Sequence, residues 1–170
     1  MIMFDIGDVL LYGTKGVCRI EKTEQRYVRG EYKDYLVLRP VFDKDSTIFI
    51  PTDSEPARKK MQPILSEEAV MEMIQSIPDE DAVWVSDDNE RKAYYTGLID
   101  KCDRIMILRI IITLHIHRTE QEQRGRRLHQ SDEVILKQTE RLLYDEFAYV
   151  LGSTPKEIAQ TVSAKIAERN

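Results

Sequence analysis

The stretch Val17-Cys18-Arg19-Ile20-Glu21-Lys22-Thr23-Glu24-Gln25-Arg26-Tyr27-Val28-Arg29-Gly30-Glu31-Tyr32-Lys33-Asp34-Tyr35-Leu36-Val37-Leu38-Arg39-Pro40 decides the fold class. β-Branched and aromatic residues are interleaved with charges on both sides of Arg29-Gly30. Gly30 tolerates a positive φ, so the pair reads as a hairpin turn between two strands. Upstream, Asp8-Val9-Leu10-Leu11-Tyr12 is a short apolar strand closed by the turn Gly13-Thr14-Lys15-Gly16. Downstream, Asp43-Lys44-Asp45 is a polar loop, and Thr47-Ile48-Phe49-Ile50 is a fourth strand stopped by Pro51. Four short strands with tight turns in about 55 residues predict a small, strongly bent antiparallel sheet or barrel.

The pattern changes after Pro51. Ser66, followed by Glu67-Glu68 and by Val70, Met73, Ile74 and Ile77, reads as a short capped helix. Pro78-Asp79-Glu80-Asp81 is an acidic linker and the clearest boundary in the chain. Residues 89–101 and 103–123 read as two helices, with Arg124-Gly125-Arg126-Arg127 as a loop. Ser131 or His129 caps a third helix that runs to Leu151 and ends at Gly152. Thr154-Pro155-Lys156-Glu157 combines a cap, a proline at the first helical position and a glutamate in the first turn. It starts a fourth helix with Ile158, Val162 and Ile166 on one face. There is no internal repeat and no low-complexity segment.

Composition narrows the function classes. Of 170 residues, 42% are apolar and 32% charged, which allows a modest core. The net charge of −5 argues against a protein that coats nucleic acid by bulk charge. The charge is unevenly placed. Residues 1–82 carry 11 Lys/Arg against 16 Asp/Glu, whereas 83–170 carry 14 of each. Within 104–127, six arginines face only Glu120 and Glu122, so the one concentrated positive field belongs to the helical half. Cys18 and Cys102 are too few and too far apart for a disulfide scaffold or a thiolate zinc site. No secretory pattern follows Met1, and the apolar run 105–116 is short for a membrane span and contains Arg109. A cytoplasmic protein is expected.

No catalytic motif is visible: there is no Gly-x-Gly-x-x-Gly, phosphate-binding loop or Gly-x-Ser-x-Gly. His115 and His117, two apart on a helix, point in different directions and make a poor metal pair. Glu67-Glu68 reads as a helix N-terminal turn rather than an acid/base pair. Three features carry binding chemistry instead. Around the turn, Arg26, Tyr27, Val28 and Tyr32 mark either an ordinary hairpin or a sheet edge that pairs with a partner strand. Trp84, beside Asp87-Asp88 and Arg91-Lys92, reads as a core staple or as an aromatic wedge next to phosphate-binding cations. Arg118, Arg124, Arg126 and Arg127 read as a solvated helix end or as a phosphate clamp.

Phe4-Asp5-Ile6-Gly7-Asp8-Val9-Leu10-Leu11-Tyr12, with Lys15-Gly16-Val17, Arg29-Gly30-Glu31, Tyr35-Leu36-Val37-Leu38 and 48–51, resembles the N-terminal module of the CarD/CdnL family. The transcription-repair coupling factor carries the same module. Arg91-Lys92, the long apolar helix, Arg124-Gly125-Arg126-Arg127-Leu128 and Glu146-Phe147-Ala148-Tyr149-Val150-Leu151 resemble the family's helical C-terminal domain. The resemblance implies a Tudor-like barrel that binds the β subunit of bacterial RNA polymerase. It also implies a helical domain that meets upstream promoter DNA at the edge of the transcription bubble and lengthens the life of the open complex. The family's polymerase-binding arginine falls on Arg26, with Val28 beside it, and a second family arginine falls on Phe49 here. The family's wedge tryptophan sits directly before the arginine-rich helix, whereas Trp84 lies several residues earlier.

The expectation is therefore an α+β protein, with a Tudor-like small β-barrel followed by an all-α domain. Residues 1–54 form the polymerase-interacting domain, 55–82 a short helix and acidic linker, and 83–170 the DNA-contacting domain. Arg26, Tyr27, Val28, Tyr32 and Phe49 are the expected polymerase contacts. Trp84, Arg91, Lys92, Arg118, Arg124, Arg126 and Arg127 are the expected contacts to promoter DNA, weak and without base specificity. No catalysis, cofactor, metal, membrane or small-molecule ligand is expected. One alternative is a polymerase-binding module that regulates without touching DNA; another is a small enzyme with an unrecognised site.

Overall fold

Alternating inward and outward residues build a five-stranded antiparallel sheet in the first part of the chain. A computed structural model describes residues 3–77 and 82–169 and divides into two compact units, Met1–Ile64 and Leu65–Asn170. The strands of the first unit are β1 (Val9–Tyr12), β2 (Val17–Val28), β3 (Glu31–Pro40), β4 (Ile48–Pro51) and β5 (Met61–Pro63), with the short helix α1 (Glu55–Lys59) before β5. Their order across the sheet is β4-β3-β2-β1-β5. β4 and β5 are its two edges and, among the described residues, no ladder joins them, so the sheet is open rather than closed into the expected barrel.

One face of this sheet buries Leu10, Cys18, Ile20, Leu38 and Ile50 together with Ala57 of α1. Register explains the set: Leu10 lies opposite Cys18, Ile20 opposite Leu38, and Leu36 opposite Ile50. Directly opposed residues share a face. The ladder shifts between Ile20 and Lys22, a β-bulge that leaves Glu21 outside the pairing. Sequence reading placed the hairpin strands well but missed α1 and β5. β5 is three residues long, lacks β-branched residues and ends in proline at a sheet edge. Its pairing with β1 carries the sheet unit to Ile64 rather than to 54.

The second unit contains α2 (Glu67–Gln75), α3 (Asp88–Asp100), α4 (Arg104–Gln123), α5 (Gln130–Leu151) and α6 (Pro155–Glu168). The acidic segment 78–81 lies outside the described residues. Each helix begins at a side-chain cap. Ser66, Asp87 and Thr154 accept from Ala69, Glu90 and Glu157 respectively, and Asp103 accepts from both Ile105 and Met106. His129 rather than Ser131 caps α5, its Nδ1 accepting the Ser131 amide at 3.3 Å. Gly152 ends α5 at φ 64°, the left-handed conformation that a helix C-terminus favours. α5 packs against α2, α3, α4 and α6, so its Ile135, Leu136, Leu142, Leu143 and Phe147 form the centre of the core. α4 is buried over almost all of Ile107 to Leu114, which explains an apolar run without amphipathic spacing. Among the described residues no helix is long and apolar enough to cross a membrane.

Two local predictions follow from this unit. Thr154→Ala removes the acceptor for the Glu157 amide, 3.2 Å away, and is expected to cost about 1 kcal/mol by denaturant titration. Burial pushes the Asp145 carboxyl up to about 6, against the opposing pull of Arg141. A folded-state value above the unfolded one stabilises the protein in acid, and that contribution is lost as the pH rises through about 6. Asp145→Asn removes the charge that the folded state disfavours. The variant is expected to melt above the wild type at pH 8 and to lose that advantage below about pH 4. An advantage independent of pH would contradict this.

Candidate functional site

In the sheet unit, the candidate surface is the far end of the β2–β3 hairpin. β1 pairs with β2 only from Val17 to Arg19. Beyond the bulge, residues 22–28 of β2 therefore have β3 on one side and no strand on the other among the described residues. The two-residue turn Arg29-Gly30 has φ of 52° and 87°. Positive φ at both positions matches the twist of the flanking strands and closes the hairpin tightly. The result is a two-stranded ribbon with an open backbone edge.

The register sorts the expected contact residues onto two faces. Arg26 lies opposite Lys33, Val28 opposite Glu31, and Val37 opposite Phe49. These share the sheet face opposite to Leu10, Ile20 and Leu38; this outer face is exposed at Arg26, half-buried at Val28 and buried at Val37. Tyr27 lies opposite Tyr32 on the other face. Their rings are 5.0 Å apart and tilted by 60°, and both are well exposed. On the outer face, the Arg26 guanidinium stands 3.8 Å from the centre of the Phe49 ring, and its Nε donates to Glu24 at 3.1 Å. Glu31 and Lys33, two residues apart on β3, pair at 3.1 Å. The structure thus joins Arg26, Val28 and Phe49, and it separates them from Tyr27 and Tyr32.

In the helical unit, Trp84 is half-buried, and its ring stacks on His117 with centroids 3.8 Å apart. The Arg91 guanidinium lies 4.2 Å from the Trp84 ring centre. The segment that carries Trp84 is pinned on both sides. The Ala82 amide donates to Thr113 Oγ1 at 2.8 Å, and the Tyr95 hydroxyl donates to the Val83 carbonyl at 3.0 Å. Trp84 therefore ties this segment to α3 and α4.

Arg91 departs from the sequence reading, which offered it to phosphate. It is 2% exposed. Its Nε and Nη2 hold the two oxygens of buried Asp132 at 2.9 and 2.6 Å. Nη2 also meets Asp88 at 2.6 Å, and Nη1 donates to the Val85 carbonyl at 2.8 Å. Its hydrogen bond with Asp132 raises the arginine's pKa further, and its bond to Asp88 holds that carboxyl below the usual range. Such a guanidinium is an internal cross-link between α3 and α5, with its donors already committed. Asp88, His129 and Asp132 bring ligand-type atoms within 4.8 Å of one another. Both Asp132 oxygens and one Asp88 oxygen already face Arg91, so the guanidinium stands where a cation would bind.

The other expected cations are more open. Arg118 is half-buried and donates to His115 Nδ1 at 3.0 Å, while His115 Nε2 meets Glu140 at 2.6 Å. An arginine only donates, so neutral His115 carries its proton toward Glu140. Lys92, Arg124, Arg126 and Arg127 are exposed. The last three flank a tight turn in which the Arg126 amide returns to the Gln121 carbonyl at 2.8 Å, and buried Leu128 anchors the exit. The start of α3 lies at this same end, because His129 approaches Asp88 at 3.4 Å.

Glu146 escaped the sequence reading. It is 1% exposed and grips Arg104 through two bonds of 3.0 and 2.9 Å. It also accepts the Leu65 amide at 3.0 Å. The available signal was a charge inside the apolar stripe Leu142, Leu143, Phe147; Asp132, beside Ile135 and Leu136, gave the same signal. Beside this pair, an open groove of about 540 Å³ is lined mainly by Leu65, Ala69, Met73, Cys102, Ile105 and Leu108.

Residues 4–65 match the family model of the CarD-like/TRCF RID domain. The match covers all five strands and ends one residue beyond the boundary between the two units. The N-terminal unit is a CarD-like/TRCF RID module.

Proposed function

We propose that a chain opening with a CarD-like/TRCF RID module is a non-enzymatic, cytoplasmic regulator of bacterial transcription initiation. Its Tudor-like sheet unit binds the RNA polymerase β subunit, and its helical unit stabilises the promoter open complex. The family match carries the first half of this reading, since the module is an RNA polymerase-interacting part of the transcription machinery. The hairpin supports it physically. An open strand edge offers backbone hydrogen bonds to a partner strand, with Arg26 and Val28 adding side-chain contacts. The groove in the helical unit is apolar and open, and its Arg104 is committed to Glu146, which favours a binding protein over an enzyme.

In this reading, promoter contact falls to Lys92, Arg124, Arg126 and Arg127, exposed cations at one end of the helical unit. They meet phosphates and read no bases. A net charge of −5 keeps free DNA binding weak, and tethering to polymerase supplies the local concentration that weak contacts need. The burial of Arg91 and the pinning of Trp84 favour a second reading, polymerase binding without DNA contact.

Two variants test the readings. Arg26→Glu is expected to weaken polymerase binding by about 2 kcal/mol while leaving the melting temperature unchanged. Replacing Arg124, Arg126 and Arg127 together with alanine is expected to shorten open-complex lifetime at all promoters alike. It should also flatten the salt dependence by about 2–3 in log–log slope. Full lifetime in the triple variant selects the second reading, and unchanged affinity in Arg26→Glu removes the hairpin from the interface.

A further inference from the structure

β4 is an edge strand whose Ile48 and Ile50 turn toward the core. Phe49 between them turns outward and is 37% exposed. An aromatic ring left on an outer face needs a reason, and the structure supplies one in Arg26. We propose that Phe49 is a positioning residue that holds the Arg26 guanidinium flat on the sheet and presents its free edge to an anionic group on the partner. This rests on the hairpin being the polymerase-binding surface.

The geometry divides the work among the faces and edges of the guanidinium. Its planar face lies 3.8 Å from the ring centre, which uses none of its N–H groups. Nε is occupied by Glu24 at 3.1 Å. The ring is itself held, because Phe49 lies opposite Val37, which is 2% exposed. The two terminal nitrogens then point away from Nε as a fork, the shape that a carboxylate takes in two parallel bonds. A flexible arginine loses rotamer freedom when it binds. One already laid on an aromatic ring has lost much of that freedom beforehand, so the ring raises affinity without touching the partner.

The test compares full-length wild type, Phe49→Leu, Phe49→Tyr, Arg26→Ala and the double variant Phe49→Leu/Arg26→Ala in binding to RNA polymerase core enzyme. NMR of each free protein accompanies it. Phe49→Leu keeps an apolar side chain on Val37 and removes the ring; Phe49→Tyr keeps the ring. The expected result is about tenfold weaker binding for Phe49→Leu, near-wild-type binding for Phe49→Tyr, and no further loss when Phe49→Leu is added to Arg26→Ala. In the free protein, the Arg26 side-chain protons should show a ring-current shift that Phe49→Leu abolishes and Phe49→Tyr retains. A full additional loss in the double variant would mean that the ring touches polymerase directly, and this overturns the positioning role. Unchanged affinity in Phe49→Leu overturns it too. If wild type fails to bind core enzyme, the polymerase reading falls and takes the partner half of the proposal with it. The ring-current shift then decides alone whether Phe49 orders Arg26.

Discussion

Arg91→Ala is expected to destabilise the protein by about 3–5 kcal/mol, the usual cost of stripping one partner from a buried ion pair. The loss strands the Asp132 carboxylate, which is 1% exposed. It also leaves the Val85 carbonyl without its 2.8 Å donor and removes the cation beside the Trp84 ring. Arg91→Lys should recover little, because an ammonium lacks the fork that meets both Asp132 oxygens. Arg91→Met combined with Asp132→Leu should recover most of the loss, since no charge is then left unpaired. Chemical denaturation measures all three. A surface phosphate contact would behave in the opposite way, with stability intact and DNA affinity reduced, so a loss below about 0.5 kcal/mol would return Arg91 to the DNA-contact set.

Glu146→Ala is expected to have a comparable effect, about 3 kcal/mol or more. The carboxylate joins three parts of the helical unit: the start of α4 through Arg104, its own helix α5, and the chain entering α2 through the Leu65 amide. Alanine removes the carboxylate that holds a part-buried arginine and takes the acceptor from a backbone N–H. Hydrogen exchange gives a site-specific check, because the Leu65 amide should exchange much faster in the variant while amides in the middle of α5 change only with global stability. Glu146→Gln keeps an acceptor for that amide and should lose less.

These two residues show where reading a sequence succeeds and where it stops. Caps such as Ser66 and Thr154 act within three residues of themselves, so local chemistry identifies them, and the helix starts follow. Strand alternation likewise places β2 and β3, and the apolar spacing of Ile158, Val162 and Ile166 places the inner face of α6. Arg91 and Asp132 are 41 residues apart, and Arg104 and Glu146 are 42 apart. Nothing local distinguishes an arginine bound for a buried carboxylate from one bound for solvent. Arg91 beside Lys92 therefore read as a basic surface. The hairpin turn was legible, because Gly30 requires room at positive φ. The distribution of Arg26 and Tyr27 between faces was not, because it depends on a bulge that leaves no compositional mark.

That bulge makes the length of β2 a heritable property distinct from its composition. Below Glu21, the even-numbered residues Cys18 and Ile20 face the core; above it, even-numbered Arg26 and Val28 face away. Removing one residue there would restore strict alternation. The tip would not change sides, because without the extra residue Lys22 to Val28 keep their present partners on β3, with Arg26 opposite Lys33 on the outer face and Tyr27 opposite Tyr32 on the inner one. On the proposed reading, substitutions at Arg26 or Val28 adjust how strongly this surface holds its partner. The bulge absorbs the extra residue: the same sequence held in strict alternation without it would exchange one surface for the other. Residue count and bulge are therefore coupled, and relatives one residue shorter in this part of the strand are expected to lack the bulge while keeping the same residues of the tip on the outer face.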